Sequence, residues 1–280
     1  MAPRTMQVKG CHREEPKGRR GDPAQTLMKV LSRDCFALLA MTFLCVTTVH
    51  AAGPDWEAYQ KSGHQSPKWN SLVQGGFESF DTGNWSTASN FLERARNKGC
   101  KDGLVLFKLG LYQEYLKEYS KAVALMKQAD GALQKQYPDH ATTRAFHETL
   151  GRIYYEWDHY DEALPEIEQA IQQLGENFMR LLMAGQILRM QQQWKAAISA
   201  FEKALQYDPP KGMAGNPKQL VLMELMKAHY ETGDYDTALQ YANIVLKTDP
   251  ANNLALTYKR QIEQKRHEEH EREVLEKMIK

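Results

Sequence analysis

The sequence predicts an all-α protein: a solenoid of five helix-turn-helix units, closed by a C-terminal capping helix and preceded by a signal peptide. Three observations predict it. A spaced pattern of small and aromatic residues recurs five times from residue 69 onward. Internal periodicity on that scale is the mark of a repeat array. Helix-breaking Pro and Gly gather at the gaps between units, as in PPKGMAGNP near residue 212. An apolar run near the N-terminus ends in small residues.

Residues 1–27 are polar, basic and rich in Gly and Pro, and bury too little apolar surface to order themselves. They read as a disordered or over-extended segment, with Met28 as the expected start. Residues 28–51 read as a secretory signal peptide. Lys29 and Arg33 precede the apolar run Cys35–Val49, and Val49-His50-Ala51 offers an A-x-A-like cleavage site after Ala51. The run is short for a membrane span, which needs about 20 residues. An uncleaved anchor is the alternative. Residues 52–68 read as a linker.

Charge narrows the partners. The chain carries 36 Lys/Arg and 35 Asp/Glu, and residues 1–51 hold eight of the former and four of the latter. The remainder is therefore mildly acidic, which disfavours nucleic acid and anionic lipid. Of the four cysteines, Cys11, Cys35 and Cys45 lie in the leader and Cys100 stands alone in the body. No disulfide or zinc framework follows.

The repeat runs as follows. Gly76, Gly110, Gly151, Gly185 and Met226 mark the first helix of each unit. Nine residues on stand Trp85, Tyr119, Tyr160, Trp194 and Tyr235. Ala88, Ala122, Ala163, Ala197 and Ala238 follow, then Ala95, Ala129, Ala170, Ala204 and Val245. Glycine inside a helix costs about 1 kcal/mol against alanine, so four of them indicate a close helix crossing. Thr82-Gly83, Asp158-His159 and Gly233-Asp234 are expected at the tight turns. Two gaps carry seven extra residues. The one near Gln136 to Asp139 continues a helical pattern, and the one at Pro209 to Gly212 is expected to be a loop.

With Leu109-Gly110, Leu150-Gly151 and Tyr154 in first helices, and Phe201, Ala204 and Pro209 in a second, the pattern resembles the tetratricopeptide repeat. The units fall at 69–102, 103–136, 144–177, 178–211 and 219–252. Departures are Gly75 and Ser79 in unit one and Met226 in unit five. The resemblance implies a right-handed α-solenoid whose first helices line a concave groove. Carried onto this chain, that groove includes Phe77, Phe107, Leu111, Tyr115, Arg152, Tyr155, Leu182, Gln186, Arg189, Lys227 and Tyr230. Val73 and Phe77 replace the Lys and Asn with which the family's best-known sites clamp a terminal carboxylate, so that specificity does not transfer. Phe77, Phe107, Leu111 and Tyr155 are expected to form a partly exposed apolar strip, unless segment 53–68 or neighbouring helices cover it. Arg152 and Arg189 are expected to meet acidic groups or a backbone carbonyl of a ligand.

After Asn252, Leu254, Leu256, Tyr258 and Ile262 can cover the last repeat, and the charged remainder of 253–280 should be a solvated helix. No catalytic, cofactor or metal constellation is apparent. His267 and His270 lack a third ligand, Asn84-Trp85-Ser86 places a sequon on a core position, and no phosphate loop follows Gly75-Gly76. The expectation is an exported, periplasmic, non-enzymatic scaffold that binds a peptide or protein, without nucleic acid. Alternatives are an inner-membrane-anchored subunit of an envelope assembly and a non-catalytic subunit of an enzyme complex.

Overall fold

The computed structural model describes residues 53–213 and 215–279; the expected leader, with Ala52, lies outside them. The described residues form helices and no strands. Residues 53–68, expected as a linker, instead contain helix α1 (Pro54–Lys61). The first and second helices of the five units are α2 (Asn70–Asp81) and α3 (Trp85–Asn97), α4 (Gly103–Tyr115) and α5 (Tyr119–Gln136), α7 (Phe146–Glu156) and α8 (Tyr160–Leu174), α9 (Phe178–Met190) and α10 (Trp194–Ala204), and α11 (Pro217–Glu231) and α12 (Tyr235–Thr248). A single turn, α6 (Ala141–Arg144), precedes α7, and α13 (Asn253–Ile279) follows the last unit.

Every second helix begins on the aromatic residue of the repeat. The cause is one turn used five times. Gly83, Lys117, Asp158, Gln192 and Gly233 all have positive φ, between 59° and 79°. The next N–H in each unit returns to a carbonyl five residues back, from Asn84 to Ser79 (2.8 Å) through Asp234 to His229 (3.0 Å). These are Schellman closures of the first helix. Three units accept a non-glycine residue in the left-handed region, at roughly 1–2 kcal/mol each.

The helix crossings follow the small-residue pattern. Ala88, Ala122, Ala163, Ala197 and Ala238 are fully buried. A Cβ on Gly151 would lie 2.6 Å from Ile167 Cδ1 and 3.2 Å from the Ala163 carbonyl oxygen, so only glycine fits that crossing without a shift. In unit five Met226 takes the glycine position and is itself buried.

The two insertions differ as expected. The first lengthens α5 to 18 residues. That extension brings Gln136 and Tyr137 back to the start of α4. There Gln136 Oε1 accepts from Gly103 N (2.8 Å), and Tyr137 Oη donates to Asp102 Oδ2 (2.5 Å). Asp102 also caps α4 by accepting from Leu104 N and Val105 N. Burial raises its carboxyl above the usual range, against the Tyr137 hydrogen bond. The second insertion is irregular chain between α10 and α11, and ends where Asn216 caps Gln219 N.

Helix α13 covers the last unit with Ala255, Tyr258 and Ile262. Leu256, expected in that set, is exposed, because the buried residues recur at three- and four-residue steps that leave it one position out of phase. Beyond Ile262 the helix stands almost wholly in solvent. No helix among the described residues is long and apolar enough to cross a membrane.

Candidate functional site

The first helices pack on the second helices with one face and present the opposite face as an inner surface. This surface is divided in two by α1, the first helix among the described residues. Over units one and two, α1 lies on it. Tyr59 is fully buried, donates its hydroxyl to Asn70 Oδ1 (2.9 Å) and meets the Phe77 ring edge-on at 6.1 Å. Asp55 reaches Lys108 Nζ of α4 (2.7 Å), Thr142 Oγ1 (3.4 Å) and His140 Nε2 (3.5 Å). Lys108 also stands over the Phe80 ring at 4.1 Å.

The expected apolar strip is therefore not exposed. Phe77 is fully buried under α1, and Phe107, Leu111 and Tyr155 are buried as well. Phe107 is shut in by Phe146 of the next unit, their rings 6.3 Å apart. Tyr115 is 54% exposed. It packs on Trp85 at 5.0 Å, at the end of α4. Leu182 and Gln186 are buried; Arg152, Lys227 and Tyr230 are half-buried.

The arginines expected to await a ligand's acids are engaged within the protein. Successive first helices are joined by ion pairs along the inner side. Arg152 of α7 holds Glu114 of α4 through both terminal guanidinium nitrogens, Nη1 and Nη2, and Glu156 of its own helix at 3.4 Å. Arg180 of α9 meets Glu148 of α7 at 2.9 Å. Arg189 of α9 meets Glu224 of α11 at 2.9 Å, and Lys227 meets Glu224 at 2.8 Å. Inter-helix pairing of this kind satisfies charges that burial would otherwise penalise.

The cluster at units four and five is the least satisfied part of this surface. Gln186 and Glu224 are each 1% exposed, and Arg189 is buried beside them in the fold. Gln186 Oε1, Arg189 Nε and Glu224 Oε2 have no well-aligned hydrogen-bond partner among the described residues. The Arg189 to Glu224 contact is close but misaligned, an ion pair without a hydrogen bond. Burial works to raise the Glu224 carboxyl, and Lys227 and Arg189 outweigh it, holding the group below the usual glutamate range. At Glu114 burial wins over Arg152 and the carboxyl is raised.

Glu224 and Lys108 were not singled out from sequence, although a signal existed. Each is a lone charge inside an apolar helix stretch, LMELM and LFKLG. Such a charge must find a partner when the helix is buried.

Comparison with known proteins agrees with this architecture. Residues 148–212 match the tetratricopeptide repeat family, and residues 226–270 match the Fis1 C-terminal tetratricopeptide repeat. No curated protein sequence matches. Among solved structures, YrrB, described as a TPR protein with an unusual peptide-binding site, superimposes with a TM-score of 0.57 at 14% identity, over 75% of this chain and 100% of YrrB. MamA from Desulfovibrio magneticus gives 0.54 at 18%, over 67% of this chain and 98% of that one. A tetratricopeptide repeat protein from Parabacteroides merdae gives 0.54 at 17%, over 70% and 73%. At these identities the likeness is one of fold.

Proposed function

Because the chain belongs to the tetratricopeptide-repeat superfamily, we propose that it is a protein-interaction scaffold that takes an extended peptide segment on the inner face of units three to five. The observation that carries this reading is Gln186, whose buried side-chain oxygen finds no hydrogen-bond partner among the described residues, beside the ion pair of Arg189 with Glu224. A buried acceptor left without a donor costs about 1–3 kcal/mol. A peptide backbone N–H meets Gln186 Oε1 once the half-buried side chains around it turn aside. Lys227 joins the cluster through Glu224, and half-buried Met190, Met223 and Tyr230 lie on the same first helices α9 and α11, where methionine adapts its shape to varied side chains. The role is binding; no catalytic step is proposed.

Peptides selected from a random library on the purified protein test this. Gln186→Leu removes an unmet acceptor and should leave the fold intact, yet weaken the selected peptides about tenfold, as should Lys227→Met. Glu168→Ala, exposed on the outer helix α8, should have no effect. Full affinity in the folded Gln186→Leu and Lys227→Met variants would place binding elsewhere.

The same reading includes export. The Lys29/Arg33, Cys35–Val49 and Ala51 arrangement supports cleavage after Ala51, with the mature protein working in a periplasm-like compartment. The intact mass of the protein extracted from the cell envelope should match a chain beginning at Ala52. A full-length soluble cytoplasmic chain would contradict it.

A further inference from the structure

Helix α1 has eight residues, too few to be helical on its own in water. Its conformation depends on where it lies. A solenoid's terminal cap seals the open end face of the first unit. α1 does not sit there. It lies on the inner surface, where Tyr59 reaches Asn70 and Phe77 of unit one, and Asp55 reaches Lys108 of unit two and His140 and Thr142 ahead of unit three. Its N-cap is closely fitted as well: Gly53 lies so close to Asp81 that an added Cβ would clash with that carboxylate. The surface beneath α1 thus offers a deep aromatic seat and, one helical turn away, a cationic one. Residues 62–69 lead from α1 back into α2, with Gly63 at φ +72°.

We propose that the inner face of units one and two is a helix-docking site, filled in cis by α1 as a tethered ligand, and that its partner in trans is a short amphipathic helix of the same chemistry. That chemistry is a carboxylate in the first turn for Lys108 and His140, followed by two aromatic residues three positions apart, as Trp56 and Tyr59 are in α1. Exchange of one helix for the other leaves the number of buried contacts and ion pairs nearly unchanged, so a partner's advantage comes from concentration and from flanking contacts. The site is separate from the peptide surface of units three to five and does not depend on it.

The test uses the full chain and a fluorescent peptide carrying residues 53–64. The wild-type protein should bind it weakly, because α1 competes at high effective concentration. Tyr59→Ala loosens α1 and should raise peptide affinity about tenfold or more. Asp55→Lys in the protein should do the same by breaking the ion pair, and serves as a second route that leaves the aromatic seat untouched. Lys108→Met added to either variant should abolish the gain, as should a peptide carrying Asp55→Lys. Helicity by circular dichroism should show the five units folded throughout. Three results would overturn the proposal: equal peptide binding by wild type and folded variants, collapse of the five units in both single variants, or a doubling of mass in the loosened variants, which would assign the site to a second copy.

Discussion

Phe77→Ala will lower the stability of the array by about 3–5 kcal/mol, the cost of emptying a fully buried phenylalanine site. Phe77 is 0% exposed, lies under Tyr59 and sits 5.2 Å from the Lys108 ammonium. Its removal empties the seat of α1 and withdraws the ring from a buried cation. Tyr115→Ala, at a position equally apolar in sequence but 54% exposed, should cost about 1 kcal/mol, the worth of its aromatic contact with Trp85. Denaturant unfolding of the two variants separates a structural inner face from an open one. Equal effects would mean that α1 does not cover Phe77.

Glu224→Ala will be as damaging, at about 3–5 kcal/mol, because it strands Arg189 and Lys227 beside a buried site without the carboxylate they both contact. Glu224→Gln keeps the shape and should lose less. The pH dependence has a definite sign. The folded-state pKa of Glu224 lies below the ordinary value, so its ionised form is favoured by folding. The stability it contributes is complete above the unfolded-state pKa, about 4.3. It fades as the pH falls through the lower folded-state value. The stability gap between wild type and Glu224→Gln should therefore be flat at neutral pH and close only in strong acid. A gap that widened with acidification would mean that burial outweighs Lys227 and Arg189.

The repeat was legible because its determinants are local. The glycine and alanine spacing reports helix crossings, and the aromatic residue nine positions on coincides with the first residue of each second helix. The shared turn was only partly visible: Gly83 and Gly233 announce a left-handed residue, whereas Lys117 and Gln192 adopt it under tertiary constraint. Helix α1 escaped notice because eight residues carry too little periodicity. Pro54 at its start and the Trp56/Tyr59 spacing were the available signals. The inner-face residues lie on the first helices, and their burial by segment 53–68 and the neighbouring helices is the alternative that the sequence left open, because it depends on where α1 packs. Ion pairs such as Arg152 with Glu114, 38 residues apart, depend on the superhelical stacking of units, and a single sequence does not specify pairing across units.

The proposed peptide surface is the inner face of units three to five, with units one and two already occupied by α1. Amide hydrogen exchange with a selected peptide bound measures this directly. Added protection is expected in α7, α9 and α11, with α8, α10 and the α1/α2 region unchanged. Protection confined to the outer helices α8 and α10, or to the solvated end of α13, would contradict it.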